Sequence, residues 1–371
     1  MYSLSEYEED AKLKIDPAVY DYIAGGAGSE QTLRNNEAIF SLVRIIPRML
    51  VGVDMPDTGI ELLGSRLSTP ILIAPMAFHK LVHPEGEVAT ARAAKSQGII
   101  SIASTMSTIN LEAIAPENPD LSWFQIYVFK NRNITKNLIH RAQKAGYKAL
   151  VVTVDVPQMG IRKRDIKNQF KLPAHLQPAN FIDFNNKSTK ETVISFTATT
   201  FDSKLTWDDI TWLQSITTLP IIIKGILAPE DVKIALNYNV AGIILSNHGG
   251  RQTDSAVTAL EMLPEAVNII QGRIPLMIDG GIRCGTDVFK ALSLGANAVL
   301  IGRPILWGLA SGGQLGVQNI IDLLQKELVL TMQFCGCKNI NEITNNYVRA
   351  PFCVPSSELP PQSPFSMMAR L

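Results

Sequence analysis

The string Gly-Ile-Ile-Leu-Ser-Asn-His-Gly-Gly-Arg-Gln at 242–252 runs an apolar strand directly into an imidazole and, three residues on, a guanidinium. A neutral histidine takes up a proton near pH 7, and a nearby carboxylate stabilises the imidazolium that forms. An arginine grips a carboxylate through two parallel N–H donors. His248 is therefore read as a base and Arg251 as an anchor for an anionic substrate. Asp155 ends another strand, Ala-Leu-Val-Val-Thr-Val-Asp (149–155), and is the carboxylate placed to face His248. Arg162 is a second candidate anchor, although it stands in an Arg-Lys-Arg run whose plain reading is a solvated charge cluster.

Lys224 interrupts the apolar run Ile-Ile-Ile-Lys-Gly-Ile at 221–226. A buried ammonium needs a charged or electron-rich partner. Two chemistries suit it: a Schiff base with a carbonyl substrate, or a counter-charge to an anionic cofactor ring. The run itself leaves that choice open. Asp-Gly-Gly-Ile-Arg (279–283) and Gly-Arg-Pro (302–304) put glycines and arginines after two later strands. Backbone N–H groups, a helix N-terminus and a guanidinium together suit a phosphate.

These residues need a scaffold that gathers strand ends. Eight short Ile/Val/Leu-rich runs are present, at 71–75, 99–104, 123–128, 149–155, 221–226, 242–248, 275–281 and 298–304. Continuous apolar runs alternating with helical patterns indicate buried parallel strands. Eight such units over about 250 residues make a (β/α)8 barrel. A doubly wound open sheet is the rival, but the early Gly-x-Gly-x-x-Gly that usually accompanies it is absent. Ala-Gly-Gly-Ala-Gly (24–28) is read as a turn, and His-Pro-Glu-Gly-Glu (83–87) as a helix start. Helices are expected over 85–97 and 286–294, the latter opening on Thr286-Asp287 and stopping at Gly295.

In such a barrel the strand C-termini form the active face. The candidates then become neighbours: Gln125 and Tyr127 on strand 3, Thr153 and Asp155 on strand 4, Lys224 on strand 5, Ser246 and His248 on strand 6, Asp279 on strand 7. The polar stretch 166–204, inside the long interval between strands 4 and 5, is expected to be a lid over that face. Residues 1–65 are expected to form a helical preface to a single domain spanning 1–350, and 351–371 a flexible Pro/Ser-rich tail.

Composition narrows the function classes. The 371 residues carry 34 Lys+Arg and 34 Asp+Glu, so no basic surface recommends nucleic acid. No apolar stretch reaches membrane-spanning length, and the polar, acidic start is neither a secretory nor a transit signal. Four cysteines (Cys284, Cys335, Cys337 and Cys353) are too few for a disulfide framework and are expected to be reduced thiols. No metal is expected.

Taken in order, Gln-Ile-Tyr, Thr-Val-Asp, Ile-Lys-Gly, Ser-Asn-His-Gly-Gly-Arg-Gln, Asp-Gly-Gly-Ile-Arg and Ile-Gly-Arg-Pro resemble the FMN-dependent (S)-2-hydroxy-acid oxidase family, which includes glycolate and lactate oxidases. The resemblance runs from Tyr-Asp-Tyr-Ile (20–23) to about residue 345. It implies FMN as cofactor and (S)-2-hydroxy acids as substrates, oxidised to 2-oxo acids with O2 reduced to hydrogen peroxide. It implies His248 as base, Asp155 as its partner, and Arg251, Arg162 and Tyr22 on the substrate carboxylate. Tyr127 would bond the substrate, and Lys224 would lie against flavin N1 and O2, which favours the cofactor reading of that lysine. Ala74, Pro75, Met76, Ala77, Ser104, Gln125, Thr153 and Ser246 would meet the flavin or ribityl chain. Asp279, Gly281, Arg283, Gly302 and Arg303 would hold ribityl hydroxyls and phosphate.

One position departs from the plant glycolate oxidases of that family. They carry a tryptophan after strand 2, where this chain has Met106. Methionine is flexible, so the pocket is expected to favour lactate or longer hydroxy acids over glycolate. The stretch 166–204 carries no hydrophobic insertion and no preceding cytochrome domain is expected, which makes oxygen the expected electron acceptor and a quinone the alternative. An FMN-dependent isomerase and a non-catalytic barrel are more distant readings. The resemblance also implies a homotetramer or larger assembly. The terminal Ala-Arg-Leu resembles a peroxisomal address, giving peroxisomal location in a eukaryote and a cytoplasmic one otherwise.

Overall fold

The computed structural model describes residues 1–184 and 199–352. Eight strands close into an all-parallel barrel: β1 (Ile71–Ile73), β2 (Ser101–Ala103), β3 (Ser122–Ile126), β4 (Leu150–Thr153), β5 (Ile221–Ile226), β6 (Gly242–Leu245), β7 (Leu276–Asp279) and β8 (Ala298–Ile301). Each pairs with its neighbours in sequence, and β8 returns to β1. The eight-run pattern therefore gives the (β/α)8 barrel directly.

Side-chain alternation organises the interior. Trp123, Val151, Ile222, Ile244 and Met277 fill an apolar layer inside the barrel. Two residues further along the same strands stand Gln125, Thr153, Lys224, Ser246 and Asp279, all buried. The inward face thus changes from apolar to polar within one pleat of the strand ends. Parity of the strand forces these five groups to converge.

Residues 1–65 are helical only to Leu42: α1 (Leu4–Lys14), α2 (Pro17–Ala24) and α3 (Gln31–Leu42). Asp16 caps α2, accepting from the N–H groups of Ala18 and Val19, with Pro17 at the first turn. Past Val43 the chain is extended, and a hairpin, Ile60–Leu62 with Ser65–Leu67, comes just before β1. Its Leu62 and Leu67 join the interior apolar cluster and close the N-terminal end of the barrel.

The expected helices appear as Gly86–Ser96 and Gly285–Ser293. The second is capped two residues before the expected Thr286: Cys284 is the N-cap and Asp287 closes the box. The long interval between β4 and β5 is more structured than its composition suggests. It holds helices Lys163–Lys167 and Trp207–Ile216 and a 3-10 turn over Ala179–Phe184, and Phe170, Leu176, Phe181 and Phe201 are buried. Part of the expected lid, residues 185–198, lies outside the described residues. So do residues 353–371, with Cys353 and the terminal tripeptide. Cys284, Cys335 and Cys337 are free thiols, the last two buried. Among the described residues no helix is long and apolar enough to cross a membrane.

Candidate active site

His248 lies where β6 breaks into the loop, with φ of 58°, a left-handed conformation uncommon outside glycine. The loop locks it there. Its N–H donates to Ser246 Oγ (3.0 Å), and Asn247 Oδ1 accepts from Gly250 N (3.0 Å). Asn247 also makes a reciprocated amide pair with Asn36 of α3: Nδ2 donates to Asn36 Oδ1 (2.7 Å) and Asn36 Nδ2 returns to Asn247 Oδ1 (2.9 Å). Nδ1 of His248 stands 2.9 Å from Asp155 Oδ1. A carboxylate accepts, so Nδ1 carries a proton, and in the neutral ring the lone pair lies on Nε2. Asp155 sits over Gly225, whose φ is 110° and where a Cβ would lie 2.6 Å from Asp155 Cγ. The glycine after Lys224 is thus required by the carboxylate that serves His248.

Lys224 is buried and bonded on two sides. Nζ donates to Ser246 Oγ (2.7 Å) and pairs with Asp279 Oδ2 (2.8 Å). Asp279 Oδ1 is buried without a hydrogen-bond partner, as is Asp155 Oδ2. Gln125 bridges the polar layer: its Oε1 accepts from Thr105 N (3.0 Å) and Ser104 Oγ (3.3 Å), and its Nε2 donates to Thr153 Oγ1 (3.1 Å).

Four arginines meet at the mouth, and three take unexpected partners. Arg251 Nη1 donates to the carbonyls of Tyr22 (2.7 Å), Gly25 (3.1 Å) and Ile23 (3.2 Å), with its guanidinium 5.1 Å from the Tyr22 ring centre. Arg303 donates to the carbonyls of Ile23 (2.9 Å), Gly25 (3.0 Å) and Gly249 (3.0 Å). Both cations therefore cap the C-terminus of α2, where carbonyls are orphaned and the helix dipole is negative. Arg283 pairs with Glu37 of α3 at 2.6 Å.

Arg162 differs from all of these. It is 3 % exposed, so the solvated reading of the Arg-Lys-Arg run does not hold. Its Nε reaches Arg251 O at 3.4 Å, and the Asp165 carboxylate stands 4.0 Å from Nη1. Burial, then the charge of Arg251, pushes Arg162 down to about 10; burial with Arg251 and Arg283 pushes Arg303 to about 9. Both remain cations at neutral pH, and both stand in a region short of negative charge. Burial raises the Tyr127 phenol well above its ordinary range, with the Asp155 charge adding to the effect.

One cavity joins these groups. Of the residues singled out in the sequence, Tyr22, Ala74, Pro75, Met76, Ala77, Ser104, Met106, Gln125, Tyr127, Thr153, Arg162, Lys224, His248, Arg251, Asp279, Gly281, Arg283, Gly302 and Arg303 line it. Asp155 and Ser246 do not. They stand behind His248 and Lys224 and act through them. Residues not foreseen include Phe78, Val156, Met159 and Phe201, which form an apolar wall. Asn36 was also missed, although a sequence signal existed: with Thr32 and Phe40 it sits on the buried four-residue stripe of α3, an odd place for an amide. Gly281 permits that contact, since its φ is 79° and a Cβ would overlap Asn36 O.

Comparison with known proteins follows from this geometry. Residues 11–350 match the FMN-dependent dehydrogenase family model. The chain is 46 % identical over 355 residues to an L-lactate oxidase of Nostoc sp., covering 93 % of this chain and 97 % of that protein. It is 44 % identical over 359 residues to glycolate oxidase of Spinacia oleracea, covering 96 % and 97 %. A crystal structure of mandelate oxidase superposes with a TM-score of 0.88 at 40 % identity, covering 94 % and 98 %.

The undercompensated charge at Arg162 makes a direct prediction. A small dicarboxylate such as oxalate should stabilise the protein, by about 2.7 kcal/mol at a hundredfold excess over its Kd. Arg162→Met should remove most of that stabilisation. Thermal melts with and without oxalate measure it; an unchanged oxalate shift in the variant would place the anion elsewhere.

Proposed function

The chain belongs to the FMN-dependent dehydrogenase family, and from that premise we propose that it oxidises (S)-2-hydroxy acids to 2-oxo acids, with O2 as electron acceptor and hydrogen peroxide as product. The observation that carries this reading is one cavity holding an imidazole backed by a carboxylate on Nδ1, a buried arginine whose ion pair with Asp165 is long at 4.0 Å, and a polar layer suited to a ring.

The residues present fit FMN. The buried, unpartnered Asp279 Oδ1 offers an acceptor to a ribityl hydroxyl. Gly302 leaves open space on the phosphate side, where an added Cβ would meet only Met76 Sδ at 3.9 Å. Arg283 and Arg303 would hold the phosphate, and Gln125, Thr153, Ser104 and the 74–77 backbone the ring. Lys224 would stand at the ring edge as a fixed positive charge; its ion pair with Asp279 supports that role over a Schiff base. When bound, FMN supplies a two-electron acceptor.

Arg162 and Arg251, with the Tyr22 hydroxyl, would hold the substrate carboxylate. Tyr127, kept protonated, would donate to the substrate oxygen. His248 Nε2 would take a proton from the substrate, and Asp155, already on Nδ1, would stabilise the imidazolium. Hydride and carbanion routes both leave the proton on that nitrogen. The apolar wall of Met106, Met159 and Val156 would receive the substituent on C2, which supports lactate or longer acids over glycolate.

The same reading extends to assembly as a homotetramer or larger homo-oligomer. Exposed Met49, Leu50, Met55 and Phe334, close together where Arg48 N bonds Phe334 O, support it as a surface to be covered.

Four measurements test these statements. Anaerobic L-lactate should bleach the flavin while D-lactate leaves it yellow, and air should restore the colour with peroxide; kcat/KM should rank lactate and 2-hydroxyoctanoate above glycolate. Slow recovery in air would mean a different acceptor, and a glycolate preference would overturn the substrate ranking. Asp155→Asn keeps the shape but not the charge and should lower kcat by about 10²–10⁴ with little change in KM; a near-native kcat would remove Asp155 from the mechanism. Light scattering should give four chain masses or more, and a monomer would exclude the assembly.

A further inference from the structure

The interval between β4 and β5 rejoins the barrel at residues 199–205, and it does so by backbone pairing. Lys130 N donates to Thr200 O (2.9 Å) and Asp202 N to Val128 O (3.0 Å), forming an antiparallel bridge between Phe129 and Phe201. Arg132 fastens the same turn, with Nη2 at 2.7 Å from both Asp202 and Asp209. These contacts fix the Phe201 backbone against the exit of β3. The ring is 5 % exposed, stacks on Tyr127 with centroids 4.4 Å apart, and meets the edge of Phe129 at 5.2 Å.

Behind this ring lies a second cavity of about 60 Å³. Tyr127, Thr153, Val156 and Phe201 line both it and the active-site cavity. We propose that Phe201 is a specificity-determining residue, the partition between the substrate pocket and a side cavity, and that it limits the length of the substituent carried on C2. The inference rests on the reading of this site as one for 2-hydroxy acids.

The chemistry of the boundary supports it. The substituent on C2 has an apolar wall to occupy, and Val156 belongs to that wall and to the side cavity alike. A dry apolar space of roughly 150 Å³ admits a benzene-sized guest. The side cavity alone is under half of that, and its lining mixes Val154, Val156 and Leu205 with Thr153, Asp202 and Ser203. Removing the ring joins the two spaces and extends the pocket at the far end of a long alkyl chain, which the wild type accommodates less well than the joined space would. Adding to the ring shortens the pocket. Lactate, whose substituent is one methyl group, does not reach the partition.

The test uses FMN-loaded wild type, Phe201→Ala and Phe201→Trp, matched for flavin content, with kcat/KM measured for L-lactate and (S)-2-hydroxyoctanoate. The octanoate-to-lactate ratio should rise by about tenfold or more in Phe201→Ala, mainly through KM, and fall in Phe201→Trp; a pocket change of this size alters discrimination by that order. Phe201→Leu should fall between wild type and Ala. A merely structural role would lower both substrates together and leave the ratio fixed, which overturns the inference. Should Phe201→Ala lose its flavin or its fold, the Trp and Leu variants decide by the sign of their ratios, and equal ratios in all three overturn it. Wild type that is reduced by neither acid would fail the reading of the site itself, a result distinct from an unchanged ratio.

Discussion

Four guanidinium groups share one cavity, and only Arg283 has a carboxylate at close range, that of Glu37. Buried cations usually acquire carboxylate partners. Here Arg251 and Arg303 are satisfied by carbonyl oxygens at the end of α2, and Arg162 by a single distant carbonyl and a carboxylate at 4.0 Å. Carbonyl dipoles orient a guanidinium while leaving its net charge available. The cost is desolvation first and mutual repulsion second, and together they push Arg162 and Arg303 down from their ordinary values. An anionic substrate and an anionic cofactor bound there would relieve that repulsion. The N-terminal helices are therefore part of the site: α2 supplies the oxygens, and α3 steadies the His248 loop through Asn36.

Much of this was legible in the sequence, for a geometric reason. A parallel barrel brings every strand C-terminus to one face, so a residue need only be placed at a strand end to be placed in the site. Gln125, Thr153, Lys224 and Asp279 follow from parity along their strands, with no knowledge of loops. His248 and Asp155 follow from the first residues beyond them. The residues that escaped lie where neither parity nor helical period applies. Phe201 belongs to an irregular stretch whose place is fixed by pairing with residues 128–130, and no local pattern announces such a partner. The division of labour among the arginines also escaped, because donors to main-chain oxygens are chosen by tertiary approach. Arg162 illustrates this: flanked by Lys163 and Arg164, it looks solvated, yet it is turned inward while Arg164 pairs with Glu30 at the surface.

Glycine placement carries a related lesson. Ile-Lys-Gly reads as a lysine motif, with the glycine as a companion. In the structure the glycine belongs to Asp155, whose carboxylate occupies the space a Cβ would take. One tripeptide thus serves two partners, a buried ammonium on the inner face of β5 and a carboxylate from β4. Changing either residue disturbs both the base and its neighbour, so the two strands act as one unit.

The α2 cap also has a consequence in time. Ile23 is made early, and Arg303, which fixes its carbonyl, follows 280 residues later. At about 5–20 residues per second the ribosome takes some tens of seconds or less to cover that distance. Until residue 248 is reached His248 has yet to be synthesised, and the first helices lack both capping cations until Arg251 and the second of them until Arg303. A nascent chain released early therefore has no electrostatic mouth to bind a substrate anion. The cavity's arginines are gathered only when nearly all of the barrel exists.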